Sequence, residues 1–173
     1  FVKTDGSGNL AFDAIGSVGK LIKYTTFTHD GYVTGDYQGN PNSQSAGYQL
    51  INASYTPAAA NSTIALFSSS LVIAEGVNHQ NNFWLSAWEG SNFISAVSGS
   101  PRYTSFGSYL NATTLNYIGT FTSGSTTARN IMFRTGGNDA GSNTTTVYIN
   151  GNPNGSYSGN QNRFTVFLAE LAP

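Results

Sequence analysis

The chain reads as an all-β protein, and three observations carry that prediction. Apolar side chains recur at every second position from Lys20 onward, good helix formers are scarce, and Gly, Asn or Ser punctuates the runs. Alternate residues of an extended strand face opposite sides of a sheet, so this period predicts strands with one buried face. Lys and Glu together number six, while Ser, Thr, Asn and Gly make up 79 of the 173 residues. Such a pool cannot furnish the wet faces of long helices. Disorder is the competing outcome for a polar, Gly-rich chain, but disordered segments lack aromatic and β-branched residues. Here 23 aromatics outnumber 15 charged residues, so a packed core is expected. The length suits a single fold that buries about 70% of the surface of its unfolded chain.

Residues 1–19 carry glycine at 6, 8, 16 and 19 among isolated apolar residues, Leu10, Phe12, Ile15 and Val18. That spacing builds no core of its own, so the segment is expected to lean on the following domain or on copies of itself. A flexible linker is the alternative, against which Phe1, Val2, Leu10 and Phe12 speak as poor linker residues. Asp5-Gly6 and Gly8-Asn9 are turn dipeptides. The sequence thus divides into a stem segment, 1–19, and a β-sandwich head, 20–173.

In the head, candidate strands run over Lys20 to Phe27, Tyr48 to Tyr55, Ser62 to Glu75, Phe83 to Trp88 and Asn92 to Val97. They continue over Thr113 to Phe121, Ala128 to Thr135, Thr144 to Asn150 and Arg163 to Leu171. Short strands separated by Gly/Asn/Ser turns predict an antiparallel β-sandwich of jelly-roll type. A parallel sheet needs intervening helices, and no stretch supplies them. In 144–150, Val147 and Ile149 share one face and Tyr148 takes the other. In the last strand Phe164, Val166 and Leu168 point inward, which leaves Phe167 and Leu171 outside. A face that exposes large apolar side chains calls for a partner, so oligomerisation is expected.

Residues 28–47 show no apolar period and hold His29, Asp30, Tyr32, Asp36 and Tyr37 among glycines. Structureless loops above about 12–15 residues are uncommon in compact domains and are usually functional or disordered. Tyr suits contact surfaces because it offers a flat apolar body with a polar tip. Two readings stay open: an exposed recognition loop, or an Ω-loop packed on the end of the sandwich.

Several function classes are disfavoured. A net charge of −1 provides no basic surface for a phosphate backbone, so nucleic acid is not an expected partner. Apolar runs such as Leu71 to Ala74 fall far short of the roughly 20 residues of a membrane helix. With no Cys, disulfides and thiolate metal sites are excluded, and assembly in a reducing cytoplasm fits. The chain opens with Phe1 and no leader-like segment follows, as expected of an excerpt or processed form.

No G-x-S-x-G elbow occurs. His29 and His79 lie 50 residues apart and lack neighbouring carboxylate pairs, so they read as loop histidines rather than metal ligands. Gly137, Asn138, Asp139 and Gly141 offer one carboxylate, too few for a tight calcium cage. No metal or cofactor is expected. Glu75 and Glu89 close adjacent candidate strands, with Trp84 and Trp88 as stacking faces, so they read either as an acid pair of glycosidase type or, the stronger reading, as two wetted strand ends with both Trp in the core. The five Asn-x-Ser/Thr sequons, at Asn52, Asn61, Asn111, Asn143 and Asn154, are about as many as chance gives in a chain this rich in Ser and Thr.

One resemblance covers nearly the whole chain. The segment from Val2 to Phe12, VKTDGSGNLAF, resembles the joint before the terminal head domain of tail fibres in tailed bacteriophages, marine and cyanobacterial ones above all. Tyr55-Thr56-Pro57 followed by Asn61-Ser62-Thr63-Ile64 is similar to a step of those heads. The stretches Asn78 to Trp84, Arg134-Thr135-Gly136, Tyr148 to Gly151 and Phe164 to Glu170 follow in the order seen there. The resemblance implies a virion structural protein, a homotrimer of β-sandwich heads that assembles in the bacterial cytoplasm with other virion proteins. It also implies contact with a bacterial surface glycan or protein, without catalysis. A capsid decoration or head-fibre protein is the alternative, and a polysaccharide depolymerase spike the second alternative.

Low charge, abundant hydroxyls and aromatic loop residues suit sugar binding. The candidate receptor-binding residues are Tyr32, Asp36 and Tyr37, with Trp88 and Arg102 behind them. Phe1, Leu10, Phe12 and Ile15 are assigned to packing between chains.

Overall fold

The fold is seen in a computed structural model that describes residues 2–4, 10–12, 19–75, 82–100, 102–104, 110–138, 146–152, 155–156 and 163–173. In chain order the strands are β1 (Val2–Thr4), β2 (Leu10–Phe12), β3 (Leu21–Asp30), β4 (Val33–Gly35), β5 (Tyr48–Tyr55) and β6 (Thr63–Ser68). There follow β7 (Leu71–Glu75), β8 (Asn82–Glu89), β9 (Asn92–Gly99), β10 (Arg102–Thr104), β11 (Leu110–Leu115) and β12 (Ile118–Thr122). The last are β13 (Arg129–Asn138), β14 (Val147–Ile149), β15 (Gly151–Asn152), β16 (Gly155–Ser156) and β17 (Arg163–Leu171). All strand pairs are antiparallel, and the described residues contain no helix. The all-β expectation is therefore met.

Two layers enclose the core. One is the four-stranded sheet β5-β13-β8-β9. The other is a long bent layer made of the four-stranded sheet β12-β6-β17-β3 and the five-stranded sheet β10-β11-β7-β14-β4. These two are joined end to end, because β3 runs into β4, β6 into β7 and β11 into β12, each across two residues. Facing side chains fill the space between: Ile64, Leu66, Phe164, Val166 and Leu168 from the bent layer, Phe83, Leu85, Ile131 and Phe133 from the opposing sheet. Phe133 sits centrally, with Tyr117 edge-on at 5.1 Å and Phe164 at 6.0 Å between ring centroids.

The bend corrects two sequence expectations. The runs Ser62 to Glu75 and Thr113 to Phe121 were each expected as one strand; each is broken by a corner. Ser68 donates its N–H to the Tyr117 carbonyl at 3.0 Å, and its Oγ accepts the Tyr117 N–H at 2.8 Å. Ser69 donates to the Thr165 carbonyl and accepts the Thr165 N–H on its Oγ, both at 2.8 Å. Serine hydroxyls thus take up ladder groups locally and let the chain change sheets. The Tyr48 to Tyr55 and Arg163 to Leu171 strands appear with the bounds expected. In β5 a bulge opposite Phe133/Arg134 lets both Leu50 and Ile51 turn inward.

Near the start of the chain β1 and β2 pair antiparallel, with Val2 in register with Phe12 and Thr4 with Leu10.

Candidate functional site

The 28–47 stretch is not one loop. Its first residues extend β3 to Asp30, Gly31 turns the chain at φ 100°, and β4 joins the edge of the five-stranded sheet. On β14, Val147 and Ile149 are buried, so Tyr148 projects from the outer face, as the alternation predicted. There Tyr32 lies parallel to Tyr148, with ring centroids 6.5 Å apart and planes 10° from parallel. Both rings are half-buried. Register places Thr34, Tyr148, Ala74, Ala112 and Arg102 in one row across this sheet. Thr34 and Arg102 sit on its two edge strands, about 19 Å apart at four strand spacings. Asp36 follows β4 and is exposed. Tyr32, Asp36 and Arg102 therefore belong to one sheet, joined by Tyr148, which was not among the expected contact residues.

Tyr37 faces another way. Its ring packs on Tyr48 at 5.0 Å, and its hydroxyl donates to the Thr34 carbonyl at 3.3 Å. Burial, then the neighbouring Tyr48, raises its pKa. His29 meets Tyr48 edge-on at 5.5 Å; burial lowers its pKa, against the opposing charge of Asp30. These rings form an aromatic cluster between layers. Tyr37 and Gly39 bond the Gly137 backbone of β13, making a short parallel bridge at Gln38, and from there the chain turns against the outer face of the β5-β13-β8-β9 sheet. Trp84 Nε1 donates to the Gly39 carbonyl at 2.9 Å, Arg134 Nε to Ala46 at 2.8 Å and Arg134 Nη2 to Gly47 at 3.0 Å. Gln44 Nε2 reaches the Gly90 carbonyl at 2.6 Å. Neither reading of the loop foresaw this: 36–47 packs on a sheet face rather than on the end of the sandwich. Glycine is required at 47, where φ is 65° and a Cβ would collide with the Thr135 carbonyl and the Trp84 ring.

Trp88 is buried on that same outer face, its N–H donating to Ser86 Oγ at 3.2 Å and its ring meeting Phe93 edge-on at 5.1 Å. It offers a ligand little surface, which corrects its place among the contact residues. Phe1 and Ile15 lie outside the described residues; Leu10 and Phe12 are placed on β2 by backbone register.

The approach of Glu75 to Glu89 is not made. Glu75 pairs with Asn111 and Val147 in the five-stranded sheet, whereas Glu89 ends β8 in the opposing one. Glu89 lies a full strand length, about 23 Å, beyond Asn82, where the connection from Glu75 arrives. It is held by Arg129 Nη1, whose other nitrogen donates to Ser125 Oγ. His79, Asp139 and Gly141 lie outside the described residues. Among the described residues no group of three or more His, Asp or Glu side chains gathers as a metal site.

A carboxylate the functional reading passed over is the most densely bonded. Glu170 is buried on the inward phase of β17, following Phe164, Val166 and Leu168. It accepts hydrogen bonds from the Tyr55 hydroxyl, from the N–H groups of Ala58 and Ala59 at 2.9 and 3.0 Å, and from Ser62 Oγ at 2.7 Å. Ser62 is linked in turn to Ser123 Oγ at 3.0 Å. Burial alone works to raise the Glu170 pKa, but the bonds from Tyr55, Ala58, Ser62 and Ala59 outweigh it and hold the carboxyl below its ordinary value. Burial, then the bond to Glu170 and its charge, pushes the Tyr55 phenol far up. The signal was present in the sequence: strict alternation puts position 170 on the buried face.

No family model and no curated protein matches the chain. Among solved structures it is similar to dimeric latent PorU from Porphyromonas gingivalis, with a TM-score of 0.42 and 13% identity over 90% of this chain and 14% of that one. It is also similar to VP2 of infectious bursal disease virus in a subviral particle, with a TM-score of 0.38 and 12% identity over 94% of this chain and 42% of that one. The T13 particle of the same virus gives a TM-score of 0.33 and 12% identity over 93% and 40%. The chain spans less than half the length of each. At these identities and TM-scores the likeness carries no argument about function.

Proposed function

We propose that the chain is the head of a homotrimeric virion fibre of a tailed bacteriophage, which attaches to a glycan or protein on the host surface and does no chemistry there. The order of short motifs along the sequence supports the virion assignment. The observation that carries the attachment reading is the Tyr32–Tyr148 pair on an outer sheet face, in register with Arg102 and beside exposed Asp36. Tyrosine rings stack on sugar faces, and neighbouring short polar groups bond hydroxyls. Contact by one head is weak in this reading, and several heads per particle gain roughly 10²–10⁴ by avidity.

Adsorption of purified heads to host cells tests it. Tyr32→Ala and Tyr148→Ala should each lower bound protein at least tenfold with the melting temperature nearly unchanged. Wild-type adsorption by the double variant would remove this face as the contact site. Deletion of residues 1–15 should weaken the trimer if Phe1, Leu10, Phe12 and Ile15 pack between chains, as sedimentation would read.

A further inference from the structure

The outer face of the β12-β6-β17-β3 sheet presents rows of uncharged side chains. Register sets Ile118, Phe67 and Phe167 side by side on one row. The next row is small, with Thr120, Ala65 and Ala169, closed by Tyr24, whose ring stacks on Phe167 at 6.4 Å. Beyond it Leu171 and Leu21 form a second wall. The face is thus a ridge, a groove and another ridge, with no charge on any of these rows. Exposed Lys20 precedes Leu21 at one end, and the exposed pair Arg163 and Asp30, which bond each other at 2.7 Å, lies at the other.

The apolar residues here are unusually open: Ile118 is 72% exposed, Tyr24 57%, Leu21 53%, Phe67 41% and Ile22 38%. With about 150–250 Å² for a large side chain, these five expose roughly 500 Å². The surrounding exposed threonines, at 26, 63, 120 and 122, extend this toward the roughly 800 Å² per partner of a stable protein interface. A charged partner would find no charge on these rows to pair with. A second copy of the same face fits, because large and small rows alternate and one copy's ridge fills a neighbour's groove.

We propose that this face is where copies of the chain meet, each ridge of Phe67, Phe167 and Ile118 seated in the Ala65–Ala169 groove of a neighbour. The inference rests on the self-association in the function proposed above and places the main contact in the head rather than in residues 1–19.

Sedimentation velocity on the full chain tests it, with wild type compared to Phe67→Lys and Ile118→Lys and folding monitored by near-ultraviolet circular dichroism. Wild type should sediment as an oligomer, and each variant should dissociate at concentrations at least tenfold higher. Ile118 lies on an edge strand and is the most exposed, so its variant keeps the test valid if Phe67→Lys fails to fold. Folded variants that keep the wild-type mass would overturn this interface and leave self-association standing. A wild-type chain that sediments singly would overturn both and assign the face to a different partner.

Discussion

Two outer faces of this sandwich differ in what covers them. The β5-β13-β8-β9 sheet carries Trp84, Ser86, Trp88 and Arg134 outward, and the chain itself lies over them, fastened through Gly39, Ala46, Gly47 and Gly90. The β12-β6-β17-β3 sheet carries Ile118, Phe67, Phe167 and Tyr24 outward, and they stand exposed or half-exposed. The covered face has indole and guanidinium donors that seek backbone carbonyls, so a polar, Gly-rich segment can satisfy it. The open face has no indole or guanidinium, only threonine and tyrosine hydroxyls among large apolar side chains. Its remaining route to burial is another apolar surface.

The largest effect should come from uncovering the closed face. Trp84→Ala removes a buried ring and the bond to Gly39, and should cost about 3–5 kcal/mol in denaturant unfolding. A loss below about 1 kcal/mol would mean that 36–47 is only resting on the sheet.

The open sheet is fastened from its inner side by Glu170. Glu170→Gln leaves the Tyr55 hydroxyl and two N–H groups short of acceptors and should cost about 3 kcal/mol. Because the carboxyl is held below its ordinary pKa, its contribution is full above the unfolded value and lost as pH falls through the lower, folded one. Wild-type melting temperature should therefore drop below about pH 4, and the variant should lack that share of the drop. The opposite sign holds for Tyr55, whose contribution is present below about pH 10 and lost in stronger alkali.

Gly47→Ala forces a positive φ and a collision on the covered face, and should cost about 2 kcal/mol. Asp30→Asn breaks the exposed pair with Arg163 at the end of the open face, and should change stability by less than about 1 kcal/mol. A larger loss there would show that the open face is held by charge after all.

The motifs that carried the resemblance turn out to meet in space. Tyr55, Ser62 and Glu170 come from three of those stretches and form one hydrogen-bonded clasp. Trp84, Arg134 and Gly136 come from two others and anchor the 36–47 segment. These residues are thus fasteners of the fold. Asp36 and Tyr32 were singled out as polar and aromatic residues of the aperiodic 28–47 stretch, and Tyr148 joined them only through the ladder that puts β14 beside β4.

The sequence by itself determined the β class, most strand positions and which side chains of β14 and β17 point inward, because a period of two is a local property of the extended backbone. It also held Glu170 on the buried phase. The tertiary structure decided where strands break at Ser69 and Asn116, which sheet each half joins, and that 36–47 covers one face while another stays open. Those outcomes depend on contacts between residues far apart in the chain, such as Ser69 with Thr165 and Trp84 with Gly39, and no local pattern encodes such pairings.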